Sequence, residues 1–129
     1  MRCGIAAETI AYDVTAMEYP ESVDTLDGLV LTGSKYSAYD TDEWILKLKR
    51  FVSTTFSTSN CPIIGICFGH QIIAEALGGK VVLNPVGWEV GWTPISLNAR
   101  GKEIFKTQKS ELVIMFNKVH TRNAQRSCY

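Results

Sequence analysis

The stretch Pro62-Ile63-Ile64-Gly65-Ile66-Cys67-Phe68-Gly69-His70-Gln71 reads as a buried strand that turns at once into a helix. Ile63 to Ile66 is a short apolar run of the kind covered on both faces in a parallel sheet. Gly65 and Gly69 flank Cys67 two positions away on each side. That spacing suits a strand-to-helix turn so sharp that larger side chains would collide. The turn pushes the Cys67 thiol out of the sheet, and the helix that follows points its N-terminus at the same place. Unpaired amides and the positive end of the helix dipole there favour the reactive thiolate. Position and reactivity come from one feature, which makes Cys67 the candidate nucleophile. The plain alternative is a small buried apolar residue, the usual setting of a free cysteine.

Working outward from the elbow, Asn60-Cys61-Pro62 breaks a preceding helix. That helix starts at Asp40, a plausible N-cap with Glu43 three residues on, and places Trp44, Ile45, Leu48, Phe51, Val52 and Phe56 on one broad face. Before it, Leu26 to Leu31 reads as a buried strand ending in the loop Thr32-Gly33-Ser34, and Asp13 to Glu18 alternates like a short strand stopped at Pro20. After the elbow, a helix from about Gly69 to Leu77 is closed by Gly78-Gly79. Strand candidates follow at Val81 to Leu83, Ile95 to Leu97 and Leu112 to Met115. Helical patterns alternating with apolar strands imply a largely parallel sheet, in which ligands bind at the carboxyl ends of the strands.

The chain has 129 residues, which fits one domain, 1–129, with the polar, basic and aperiodic stretch 118–129 expected as a disordered tail. Lys+Arg and Asp+Glu both number 13, so there is no basic field to select nucleic acid or an anionic membrane. A small-molecule or peptide substrate is the better default. No apolar run approaches the roughly 20 residues that span a bilayer, and the N-terminus carries no signal-peptide core, so a cytoplasmic protein is expected. The four cysteines, Cys3, Cys61, Cys67 and Cys128, form no C-x-x-C pair and have no histidine at zinc-ligand spacing. Neither a metal site nor a secreted disulfide framework is expected.

Acyl transfer at a thiol needs amide donors where the oxyanion forms. The Phe68 amide is one, and the Gly33-Ser34 loop is the natural source of a second, unless it is an ordinary glycine turn. Four segments then carry a family resemblance: Glu18-Tyr19-Pro20, Leu29 to Ser34, Gly65 to Gln71, and Gly87-Trp88-Glu89-Val90-Gly91-Trp92. From about Asp13 to about Phe116 the chain resembles a class I glutamine amidotransferase, in the branch of small stand-alone γ-glutamyl peptidase-like and GMP-synthase-like proteins. The resemblance implies an α/β, flavodoxin-like three-layer α/β/α sandwich and no cofactor. It also implies attack by Cys67 on the amide of a small γ-glutamyl substrate through a thioester. Gln71 would contact the glutamyl group, and Trp88 and Glu89 would line the pocket, if they are not an aromatic hairpin packed on the sheet.

The chain departs from the family pattern at both ends. A cysteine nucleophile needs a histidine base and an orienting acid, which the family carries in a late His-Pro-Glu-type motif. Only His70 and His120 are present. His70 lies inside the elbow helix and reads as a surface or packing residue, which leaves His120 as the candidate base, with no acid after it. The segment before Tyr12 is too short for the family's first strand and helix. The expectation is a domain shortened at both ends, with a sheet gap that points to pairing with a partner chain or to poor solubility. The alternative to an enzyme is a catalytically inactive form that serves as a binding or interaction module.

Overall fold

The computed structural model describes residues 6–82, 89–109 and 111–118, which divide into two compact units, one running to Gly79 and the other starting at Lys80. In the first unit, strand β1 (Leu29–Leu31) pairs in parallel with β2 (Ile63–Gly65), in the register Leu29 to Ile63 and Leu31 to Gly65. Helix α1 (Glu43–Thr58) connects them and α2 (Phe68–Ala76) follows β2. This is a strand-helix-strand-helix succession, the α/β class read from the sequence. Helix α2 packs on both strands and on α1. The opposite face of the pair carries Val30 and Ile64, 61% and 60% exposed, so in this unit the described helices α1 and α2 lie to one side.

The core forms where the two helices meet. Trp44, Ile45, Leu48 and Val52 on α1 and Phe68 and Ile72 on α2 are buried, with Ile45, Val52 and Ile72 fully so. Phe56 does not belong to this face as the periodicity suggests: it is 62% exposed, while Thr55 beside it is buried. Phe56 sits at the edge of the apolar stripe and faces solvent, one residue past the buried Thr55. A half-buried ion pair, Lys49 Nζ to Glu75 Oε2 at 3.4 Å, bridges α1 and α2.

The chain between residues 6 and 28 differs from the sequence reading. The expected strand over Asp13 to Glu18 is instead a 3-10 turn, Val14–Ala16. Asp13 is the reason: its carboxylate accepts from the Thr15 backbone N–H at 2.9 Å and from the Thr15 hydroxyl at 2.6 Å, closing a local turn that competes with the extended state. Those bonds, the side-chain one first, hold the Asp13 carboxyl below its ordinary value. The turn is strapped to α1 by Lys47, whose ammonium donates to Met17 O at 3.3 Å and lies 4.7 Å from the centre of the Tyr19 ring. Tyr19 also packs on Phe51, with 4.9 Å between ring centres, and burial pushes its phenol up from the usual value.

Helix α1 starts two residues later than Asp40. Asp40 instead closes the preceding turn, its carboxylate accepting from Ser37 N at 2.9 Å, and Asp42 takes the N-cap position. Helix α2 ends as expected. Gly78, at φ +84°, adopts the left-handed conformation, and the amides of Gly78 and Gly79 return to Glu75 O and Ala74 O. This is the paired hydrogen-bond pattern in which glycine terminates helices.

In the second unit, β3 (Glu89–Ser96) and β4 (Glu111–Lys118) form an antiparallel pair over eight residues each, in register from Glu89 opposite Lys118 to Ser96 opposite Glu111. Strand β3 starts at Glu89 rather than Ile95 and stops at Ser96, short of Leu97; β4 outruns its sequence-based limits at both ends, and Lys118 is the last residue of β4 rather than the first of a tail. Between them lies α3 (Ala99–Ile104), a helix the periodicity did not reveal because it is one and a half turns long. Its signal was the N-cap: the Asn98 side chain accepts from Gly101 N at 2.8 Å. Val81 and Val82 lie outside any strand. Leu83 and residues 119–129 lie outside the described residues.

Because Ile45 is fully buried between the helices, Ile45→Ala is expected to cost about 2–5 kcal/mol of unfolding free energy. Phe56→Ala should stay within about 0.5 kcal/mol of the parent. Urea unfolding of both variants checks the pair.

Candidate functional site

The elbow is built by close approach of helix to strand. The N–H of Ile66 donates to Leu31 O at 2.8 Å, extending the β1–β2 ladder by one residue. Cys67 then takes φ +54° and ψ −109°, a region that L-residues rarely occupy and that costs roughly 1–3 kcal/mol. It is the N-cap of α2 and its side chain is exposed. The amide of Gly69 returns to Thr32 O at 3.2 Å and Ile66 O at 3.0 Å, fastening the first turn of α2 to the end of β1.

Neither flanking glycine has room for a side chain. A Cβ at Gly69 would overlap the Leu31 carbonyl oxygen and stand 2.6 Å from Leu31 Cβ, and one at Gly65 would stand 2.5 Å from Gly69 C and from His70 N. The backbone itself closes these spaces, so a rotamer change cannot reopen them. The missing side chains at the two glycines thus permit the close approach at which the thiol is displayed.

The same packing brings the Gly33-Ser34 loop to Cys67: a Cβ at Gly33 would lie 3.6 Å from Cys67 Cβ. Ser34 Oγ accepts from Tyr36 N at 3.3 Å, which shapes the loop. Phe68, the residue after the thiol, is 3% exposed, and its ring packs 5.7 Å from Trp44, which in turn meets Tyr36 edge-on at 5.1 Å. The loop after β1 and the first residue of α2 are thereby held by one ring stack. Beside β1 a cavity of about 630 Å³ opens, with Tyr12, Tyr19, Leu31, Gly33, Ser34 and Phe68 among its walls. Leu29 N donates to Pro62 O and Leu31 O accepts from Ile66 N, so both residues bond toward β2. By strand alternation the Val30 N–H and C=O face away from β2, toward the other edge of β1.

Of the residues the sequence singled out, Cys67, Gly33, Ser34 and Phe68 come together in the first unit. Gln71 lies one turn along α2 and is 8% exposed, its side chain buried among the packed elements. His70 is exposed on α2. Glu89 begins β3 in the second unit. Trp88 and His120 lie outside the described residues. Tyr36, which meets the Trp44 ring that packs on Phe68, was not singled out; its place just after Gly33-Ser34 was the available signal. Among the described residues no group of three or more His, Cys, Asp or Glu side chains could hold a metal ion. No described helix is long and apolar enough to cross a membrane.

The two kinds of glycine contact predict different outcomes. Gly69→Ala should destabilise the fold by about 1–3 kcal/mol or more, because backbone must move. Gly33→Ala should leave stability within about 1 kcal/mol and instead slow alkylation of Cys67, whose flank the new methyl covers. Thermal unfolding and the rate of iodoacetamide labelling read the two effects separately.

The family model for glutamine amidotransferase class-I matches residues 1–126. Among curated proteins, the chain is 40% identical over 116 residues to YLR126C of Saccharomyces cerevisiae, named for the glutamine amidotransferases, an overlap that covers 82% of this chain and 46% of that protein. It is 41% identical over 73 residues to gamma-glutamyl peptidase 4 of Arabidopsis thaliana, covering 55% of this chain and 29% of that one. It is 32% identical over 111 residues to the glutamine-hydrolyzing GMP synthase of Agathobacter rectalis, covering 86% and 19%. The chain thus spans less than half the length of these relatives. No solved structure matches it. A match across nearly all of its residues, over a strained strand-to-helix elbow with cysteine at its tip, places the chain in the class I glutamine amidotransferase family.

Proposed function

We propose that this domain acts on γ-glutamyl amides, with Cys67 as the nucleophile. The observation that carries the reading is the position of Cys67: exposed at a positive φ, at the N-terminus of α2, with Gly33 against its flank. The Cys67 thiolate attacks the γ-carbonyl carbon, and negative charge collects on the carbonyl oxygen. The backbone N–H groups of Phe68 and of the Gly33-Ser34 loop are its proposed donors. Collapse breaks the C–N bond; the amine leaves with a proton and a γ-glutamyl thioester remains on Cys67. Water then cleaves the thioester, releasing glutamate and restoring the thiol. The names of the gamma-glutamyl peptidases and GMP synthases among its relatives support substrates of this class.

Both steps move a proton, and His120 is the residue proposed to move it. Gln71, Trp88 and Glu89 are proposed to hold the glutamyl group. For Gln71 that role requires its amide to reach the site from a largely buried position.

A second reading is a domain that binds a γ-glutamyl ligand, or a partner chain, without turnover. One observation favours it: among the described residues no histidine–carboxylate pair stands beside Cys67, and His70 is exposed on α2. The two readings separate in one assay. An enzyme releases glutamate from γ-glutamyl peptides, or ammonia from glutamine, repeatedly; Cys67→Ala should lower that rate on the order of 10³-fold or more, and His70→Ala should change it little. A folded protein that releases neither, while binding the peptide in calorimetry, is the non-catalytic module.

A further inference from the structure

Trp44, in the first turn of α1, is 9% exposed and packs between two other rings. Tyr36 meets it edge-on with 5.1 Å between ring centres, and Phe68 packs against it at 5.7 Å. Phe68 is the residue after the nucleophile. Tyr36 belongs to the loop after β1, where its N–H donates to Ser34 Oγ at 3.3 Å and so ties the ring to the Gly33-Ser34 turn. The circuit closes on the other side through backbone: the amide of Gly69, next to Phe68, donates at 3.2 Å to the carbonyl of Thr32, next to Gly33. Trp44, Gly33, Ser34 and Phe68 also share the wall of the cavity beside β1.

The two amide sources proposed for the oxyanion sit on different elements, Phe68 on α2 and Gly33-Ser34 on the loop after β1. Donors stabilise a developing charge best when their spacing is set before the charge forms, and a shift of about 1 Å can cost about a hundredfold in rate. The bond at Thr32 fixes the loop at its first residue. Beyond it, Tyr36 on Trp44 and the fully buried Ala38 are among the anchors. The Trp44 indole is a stiff spacer with few rotatable bonds, and its packing on Tyr36 and Phe68 sets how far the loop stands from the start of α2.

We propose that Trp44 is a positioning residue for acyl transfer at Cys67: through Tyr36 on one side and Phe68 on the other, it fixes the spacing of the two amide sources that receive the oxyanion. This rests on the reading of Cys67 and its donors given above. Trp44 touches no reacting atom, so its loss leaves the thiol in place and acts on the step that builds negative charge on oxygen.

The test has two arms. In the first, Cys67 is acetylated by p-nitrophenyl acetate and alkylated by iodoacetamide, each rate taken as the part lost in Cys67→Ala. In acetylation the thiolate sulfur bonds the carbonyl carbon, charge collects on the oxygen, and the bond to p-nitrophenolate breaks as that anion leaves. Alkylation displaces iodide at a saturated carbon and forms no oxyanion. A change in the thiolate fraction enters both rates and cancels in their ratio. Trp44→Leu should lower the acetylation-to-alkylation ratio about tenfold, and Trp44→Phe, which keeps a ring, should restore most of it. Tyr36→Leu, at a residue 36% exposed and therefore mild for the fold, should lower the ratio in the same direction. Val52→Ala opens the same core further along α1 and should lower stability while leaving the ratio unchanged. An unchanged ratio in folded Trp44→Leu overturns the proposal; should that variant not fold, an unchanged ratio in Tyr36→Leu does so. An equal loss in Val52→Ala also overturns it, since general loosening of the core would then suffice. In the second arm, glutamate release from γ-glutamyl-glycine should show kcat lowered about tenfold in Trp44→Leu with KM kept; a raised KM at unchanged kcat overturns the positioning role. Absence of release from the parent overturns the γ-glutamyl reading, and the first arm, whose reagents carry no glutamyl group, still decides the role of Trp44.

Discussion

The site depends on the contact between Gly69, at the start of α2, and the backbone of Leu31, at the end of β1. The helix comes so close that a single methyl group at Gly69 would overlap the Leu31 carbonyl oxygen. This approach lets the Gly69 amide reach Thr32 O, beside the Ile66 amide that continues the strand ladder to Leu31 O. With both ends of the turn fixed, Cys67 is left at φ +54° with its side chain directed out. The strain, of order 1–3 kcal/mol, is offset by burial of Phe68 and Ile72 on the adjoining turn of α2. Functional geometry and core packing therefore arise from one approach of two elements.

That contact also explains which parts of the molecule were legible in the sequence. The elbow was readable because steric exclusion leaves a local mark: glycines at fixed offsets from a polar tip, after an apolar run. The α1 core face was readable because the burial of Trp44, Ile45, Leu48 and Val52 repeats with the helix. The Gly78-Gly79 terminator was readable because a left-handed backbone selects glycine. In each case the physical constraint acts within one or two turns of the residue that reveals it.

The rest was decided by interactions that leave weaker marks. Asp13 to Glu18 alternates like a strand, yet two bonds from the Asp13 carboxylate to Thr15 fold it into a turn, and alternation is blind to such competition. Phe56 continues the apolar pattern of α1 but lies at the edge of the stripe and faces solvent, while Thr55 beside it is buried. The Asn98 cap announced α3, but a six-residue helix is too short to show a period. The antiparallel register of β3 with β4 depends on pairing across a long interval, which no local pattern encodes. For the site, proximity of Gly33 to Cys67 could be argued only from both lying at strand ends; the ring stack from Tyr36 through Trp44 to Phe68 joins residues far apart in sequence and was visible only in the structure.

The central claim is that this elbow makes Cys67 an acylatable nucleophile for γ-glutamyl groups. It is tested most directly by mixing the protein with excess γ-glutamyl-glycine, quenching in acid within seconds and mapping the peptides by mass spectrometry. The account predicts a γ-glutamyl adduct, labile to hydroxylamine, on the peptide containing Cys67 and on no other. Cys61 serves as the internal comparison, being a free but half-buried thiol whose Sγ lies 3.7 Å from Leu26 O. An unmodified Cys67 in a folded protein whose thiol still reacts with iodoacetamide would contradict it.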